Sequence, residues 1–174
     1  MALLPIIVAP DPRLKVVSKP VETIDDGVRT LMDDMLETMY DEPGIGLSAI
    51  QIGVPKRIVV VDVAGQDDEP APLRMVNPEI VWHSEDKAVF EEGCLSLPDH
   101  YAEVTRPASI RLRYLDDNAR EQELDADEIL SRCIQHEMDH LDGILFVDHL
   151  TAVKRSIILR KLTKLKKSKL RESA

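Results

Sequence analysis

The segment of this chain with the most evident chemistry is His136-Glu137-Met138-Asp139-His140. On a helix, residues four apart lie one turn apart on the same face, so both imidazoles can reach a single cation. Glu137 follows the first histidine and can approach a water on that cation without ligating it. This is the H-E-x-x-H arrangement, with the glutamate as general base. The ordinary alternative is two helix-face histidines paired with Glu137 or Asp139. A catalytic metal also needs a third protein ligand. In the longer pattern H-E-x-x-H-x-x-G-x-x-H, Gly143 fits the glycine but Phe146 stands at the third histidine. A downstream glutamate has no candidate, because residues 150–171 contain no acidic residue. His149 remains open, although it lies beyond Gly143, where the helix is expected to have ended. The other candidate is Cys94, in Glu91-Glu92-Gly93-Cys94-Leu95-Ser96-Leu97-Pro98. A thiolate with two imidazoles suits Fe(II), Zn, Co or Ni and leaves a fourth position for water. Taken alone, Cys94 reads first as a buried small hydrophobe.

These residues need elements to hold them. Residues 27–40 carry Val28, Leu31, Met32, Met35, Leu36 and Met39 at helical spacing, with Asp25 or Asp26 placed to cap the helix. Pro43-Gly44-Ile45-Gly46 ends it. Arg57 to Val63 is a β-branched run that predicts a buried strand, and the acidic stretch from Gly65 to Pro72 predicts a loop. Further strands are expected at Met75 to Trp82, Ala88 to Phe90, Tyr101 to Thr105 and Ile110 to Leu115, with a turn at Asp116-Asp117-Asn118. A second helix is expected over 126–141 and a third over 152–170. Strands surround a central helix without regular alternation, so the fold class is α+β.

The chain has 174 residues, about one domain's worth, with 44% hydrophobic and 31% charged residues. Aromatics are only 3%, so the core must be aliphatic. No apolar run approaches the ~18 residues of a membrane-spanning helix, and nothing resembles a signal peptide, so a cytoplasmic protein is expected. Two cysteines, Cys94 and Cys133, make no disulfide scaffold. Of 22 basic and 32 acidic residues, nine and one fall in 151–174, which leaves the first 150 with 13 basic, 31 acidic and a net charge of −18. Such a body does not suit DNA binding; the basic tail could meet a polyanion.

Three segments together resemble the peptide deformylase family: Gly44-Ile45-Gly46-Leu47-Ser48-Ala49-Ile50-Gln51, Glu92-Gly93-Cys94-Leu95-Ser96 and Gln135-His136-Glu137-Met138-Asp139-His140-Leu141. They occur in the family's order, and the resemblance runs from near the N-terminus to about residue 150. It implies an α+β domain with antiparallel sheets around the H-E-x-x-H helix: residues 1–150 as the catalytic body and 151–174 as a basic C-terminal helix continuing from it. It also implies a hydrolase that removes the formyl group from the N-terminal formyl-methionine of nascent polypeptides and releases formate. Cys94, His136 and His140 would hold one divalent ion per chain, Fe(II) in the cell, with Zn, Ni or Co possible in purified protein. Glu137 would move the proton. The Gln51 amide and the Leu95 backbone N–H would stabilise the oxyanion.

The matched positions further imply that Gly44, Ile45, Gly46, Glu92 and Gly93 border the peptide, and that Ile45, Phe90, Ile129 and Cys133 receive the methionine. The C-terminal helix, packing on the body through Val153, Ile157, Ile158, Leu162 and Leu165, would turn its lysines and arginines towards ribosomal RNA. Three positions depart from the usual pattern. Ser48 stands for an alanine and brings a hydroxyl that must find a partner. Tyr101 stands where many members have an arginine. Arg132 stands where an apolar pocket residue is expected, and its stem could line the pocket while its charge reaches solvent.

Overall fold

The computed structural model describes residues 2–174. Helix α1 spans Asp26–Asp41 and α2 spans Glu128–Leu141, and between them run strands β1 Gly46–Ser48, β2 Ile58–Val61, β3 Leu73–His83, β4 Lys87–Cys94, β5 Leu97–Pro107, β6 Ile110–Leu115 and β7 Glu121–Ala126. Helix α3 follows at Ala152–Glu172. Strands β1-β2-β3-β6-β7 form one antiparallel sheet in that order, and β4 and β5 form a separate two-stranded ribbon. The class is α+β, in a single domain.

Strand β2 is buried throughout because helices cover both faces of the sheet there. Ile58 and Val60 pack with Val28, Met32, Met35 and Met39 of α1. Val59 and Val61 pack with Cys133, Ile134 and Leu141 of α2. The aliphatic run that predicted a buried strand thus serves two cores by simple alternation. Asp25 caps α1, accepting from the Val28 N–H at 2.9 Å. A third cluster joins Ile7, Ala9 and Leu14 to Leu97 and Val104 of β5, to Phe146 and to Leu162 of α3.

Two strands escaped the sequence reading. β7 is acidic and exposed on alternate residues, so it carries no apolar alternation strong enough to announce it. β1 is three residues long and hides in the glycine-containing segment. The second helix starts at Glu128 rather than Ala126, because Ala126 closes β7 opposite Ile110.

Helix α3 corrects the expected apolar seam. Only Leu162 is buried, with Ile158 and Leu159 half-buried, whereas Val153 is 70% exposed and Ile157 and Leu165 are exposed as well. The body offers the helix a small seat, built around Leu97, Val104 and Phe146, and the remaining apolar positions fall outside it. Among the described residues, no helix is long and apolar enough to cross a membrane.

Gly143 ends the α2 segment in the left-handed region, at φ 72°, and a Cβ there would lie 2.5 Å from the Lys15 carbonyl oxygen. That neighbour is backbone and cannot swing aside. Gly143→Ala should therefore lose at least ~1–2 kcal/mol, the usual cost of a left-handed L-residue, with the clash adding to it. A shift in the urea-unfolding midpoint measures the loss.

Candidate metal centre

Helix α2 presents His136, Glu137 and His140, all buried, to the end of the β4–β5 ribbon. The ribbon delivers Cys94, the last residue of β4, immediately before a tight turn at Leu95 and Ser96. One donor atom from each of Cys94, His136 and His140 lies within 4.8 Å of the others. Cys94 Sγ and His140 Nε2 are 3.3 Å apart. That spacing matches two corners of a tetrahedron with metal–ligand bonds of ~2.0–2.3 Å. The His136 and His140 rings meet edge-on with centroids 5.0 Å apart, and Phe146 stacks against His136 from behind. Burial pushes the His140 pKa well below its ordinary value; at His136 burial pulls the same way, but the Cys94 and Glu92 contacts outweigh it and raise that pKa well above the ordinary one. The donor set and its spacing fit one divalent transition-metal ion.

Glu137 lies beside the three donors and points one carboxylate oxygen, Oε2, at no hydrogen-bond partner. Burial raises its pKa to about 7; the nearby Glu92 carboxylate adds to the rise and His136 opposes it. Gly46 makes the room: a Cβ there would lie 2.7 Å from Glu137 Oε1 and 2.8 Å from Cys133 Sγ.

Gln51 comes from the short 3-10 turn Ala49–Ile52 that follows β1. Its Oε1 accepts from the Ser48 N–H and the Ser48 hydroxyl, both at 2.9 Å. Its Nε2 donates to Ser96 Oγ at 3.1 Å and stands 3.6 Å from Cys94 Sγ. The unusual serine thus has its partner, and it fixes which end of the amide faces the donors.

A network with no signal in the sequence joins the two halves. Arg106 of β5, 5% exposed, makes a two-pronged pair with Glu92 of β4 at 2.7 and 3.0 Å and reaches Asp139 of α2 at 2.9 Å. Glu92 Oε2 lies 3.8 Å from His136 Nδ1. Burial works to raise the Glu92 pKa, but the His136 and Arg106 contacts outweigh it and hold the carboxyl at about 2. His149, the other candidate ligand, contacts Asp139 at 2.8 Å and stands outside the donor cluster.

A cleft of about 620 Å³ opens over the donors. Gly44, Ile45 and Gly46 line it, as do Glu92, Gly93, Leu95 and Tyr101 of the ribbon and its turn and Arg132, Cys133 and Glu137 of α2. Phe90 and Ile129 are not among its lining residues. The Phe90 ring lies 5.0 Å from the Arg132 guanidinium, and Ile129 is exposed near the start of α2. Arg132 also donates to the Glu91 carbonyl at 3.3 Å.

The family model described as polypeptide deformylase matches residues 3–156. A peptide deformylase of Phenylobacterium zucineum is 57% identical over 164 residues, 94% of this chain and 97% of that one. One of Rhizobium meliloti is 54% identical over 169 residues, 97% of each. The crystal structure of the peptide deformylase from Ehrlichia chaffeensis superposes with a TM-score of 0.92 at 40% identity, covering 97% of this chain and 99% of that one.

Removing the Arg106 guanidinium leaves Glu92 charged and buried without its partner. Arg106→Met should cost about 3–5 kcal/mol, seen as a fall in melting temperature at neutral pH. The low Glu92 pKa stabilises the fold at pH values above its unfolded value of ~4.3, and that stability fades as pH falls towards 2. The acid limb of a wild-type stability–pH curve should contain this loss, and the Arg106→Met curve should be flatter there.

Proposed function

The chain belongs to the polypeptide deformylase family, metal-dependent hydrolases that remove the N-terminal formyl group from nascent polypeptides, and on that premise we propose how its residues divide the work. Cys94, His136 and His140 hold one divalent ion, ferrous iron in the cell, with zinc, nickel or cobalt able to replace it. A bound ion of this kind lowers the pKa of water towards neutrality, which is the chemistry it supplies. Glu137 takes the proton from the attacking water through its unpartnered Oε2 and returns it to the amine nitrogen as the formyl C–N bond breaks. Formate and a free methionine amine are the products.

The formyl oxygen gains charge during attack. Gln51 Nε2 and the Leu95 N–H donate to it, and the Ser48 contacts keep the amide's acceptor end turned away. Gly44, Ile45 and Gly46 border the extended peptide on one side of the cleft, with Glu92 and Gly93 on the other. Ile45, Cys133 and the stem of Arg132 enclose the methionine, and the Phe90 ring backs the Arg132 guanidinium from 5.0 Å. The observation that carries this reading is the meeting of three donor atoms and an unpartnered buried carboxylate oxygen in one cleft.

The substrate leaves the ribosome, and the free face of α3 fits that setting. Arg160, Lys164, Lys167 and Arg171 recur there at helical spacing and line one groove. We assign this face to ribosomal RNA, residues 151–174 to a basic arm of the catalytic body, and the enzyme to the cytoplasm. No membrane and no specific DNA is needed as a partner.

Formate release from a formyl-Met-peptide, with no acetate or free amine released from its N-acetyl counterpart, tests the reading. Cys94→Ala, His136→Ala and His140→Ala should each abolish metal binding; about one ion per chain in any of them refutes its ligand role. Glu137→Gln should keep the metal and lose turnover by at least ~10²–10⁴-fold. Arg160→Glu combined with Lys164→Glu and Lys167→Glu leaves the Leu162 seat intact. It should abolish co-sedimentation with ribosomes at low salt and spare hydrolysis of a short peptide, because phosphate contacts are steeply salt-dependent.

A further inference from the structure

The β4–β5 ribbon loses its register just before the site. Glu92 pairs with Ala102, but Cys94 pairs with Leu97, so two steps along β4 are matched by five along β5. The four residues opposite Gly93, Pro98 to Tyr101, form a swelling in which Asp99 takes the left-handed φ of 64°. Such bulges re-aim a side chain, and they recur beside active sites. Here the side chain re-aimed is Tyr101. Its ring presses on Gly93, one residue before the ligand Cys94, so closely that a Cβ at Gly93 would lie 2.5 Å from Tyr101 Cε1. Glycine at 93 and the ring at 101 therefore form one unit.

That unit does not serve the core. Tyr101 is 65% exposed, no side-chain hydrogen bond holds its hydroxyl among the described residues, and yet it lines the cleft. Ile45, on the segment that borders the cleft from the other side, is also exposed at 37%. The Tyr101 ring stands at the open side of the cleft, beyond the buried donors, where the chain after the formyl-methionine must run. An exposed ring in contact with a strand bulge gives apolar surface at little conformational cost.

We propose that Tyr101 is a specificity residue of this cleft: its exposed ring, set on Gly93 by the Pro98–Tyr101 bulge, packs against the side chain that follows the formyl-methionine and favours substrates apolar at that position. The proposal rests on the deformylase reading. The ring adds area to ground-state and transition-state binding alike, so its effect falls on KM more than on kcat.

The test uses metal-loaded full-length enzyme and four uncharged peptides, formyl-Met-Leu-, formyl-Met-Phe-, formyl-Met-Ser- and formyl-Met-Gly-. Because they differ in no charge, the exposed carboxylates of Glu42, Glu91 and Asp99 around the cleft act equally on all four. Wild type should prefer Leu and Phe over Ser and Gly by about tenfold in kcat/KM, carried by KM. Tyr101→Ala should bring that ratio below about threefold, and Tyr101→Phe should restore it. A ratio within one preparation cancels any loss of folded protein, so a purely structural role would lower all four rates together. A ratio unchanged in Tyr101→Ala, or no preference in wild type, overturns the proposal. Absence of formate from every peptide with wild type would instead overturn the reading it rests on.

Discussion

Everything at this site depends on holding a strand-borne sulfur against two helix-borne imidazoles, and the buried Arg106 is what ties the two supports together. Its guanidinium grips Glu92 on the strand that ends in Cys94 and Asp139 on the helix between His136 and His140. Each anchored carboxylate is one or two residues from a donor. A shift of the ribbon against α2 would therefore have to break charge-assisted, largely buried contacts before it moved a donor. Desolvating three charges is costly, and apolar residues of equal volume could hold the fold as well or better. Apolar packing is non-directional, however, and would fix the register of ribbon on helix less tightly. We read the network as stability given up for geometry.

The same demand explains the crowding at Gly46. Helix α2 must lie close enough to β1 for Glu137 and Cys133 to reach the cleft, and the separation that results leaves no volume for a Cβ. The Gly-Ile-Gly segment is therefore set first by packing, and its closeness to a peptide follows from that. Gln51 belongs to the same construction. It sits at the end of the turn that leaves β1, and its amide is fixed by Ser48 on one side and Ser96 on the other. One short strand thus positions the glycine that admits the carboxylate and the amide that faces the sulfur.

What could be read from the sequence follows from which interactions are local. His136 and His140 are one turn apart, so their meeting follows from helix geometry alone. The α1 stripe and the β2 run announce themselves by period. Cys94 lies 42 residues before His136 in the chain, and taken alone it read first as a core thiol; only the resemblance of three segments selected it. Arg106 carried no signal, since a charged residue in a strand reads as solvent-facing until its partners, 14 and 33 residues away, are placed. The α3 seam was misjudged for a related reason. An apolar stripe states which face can be buried, not how much surface the body will offer it, and here the seat is about one leucine wide.

That narrow seat has its own consequence for how binding and chemistry relate. Helix α3 meets the body through Ile158, Leu159 and Leu162, through Lys166 reaching the Pro10 carbonyl and through Arg155 paired with Asp148 at 2.8 Å. The cluster that receives Leu162 also packs Cys94 and Phe146, and Phe146 backs the His136 ring. A force on the helix could reach the donors through these apolar side chains, whose contacts are individually weak, or through Asp148, which pairs with Arg155 at 2.8 Å and also holds Lys15 and the Leu145 N–H. The polar network that fixes the ribbon on α2 includes no residue of α3; its outermost member, His149, stops one turn short of that helix. The Arg160–Arg171 face lies apart from that network, so on the proposed reading a polyanion bound there would raise the local concentration of nascent chain ends at the cleft rather than alter the rate at a bound one.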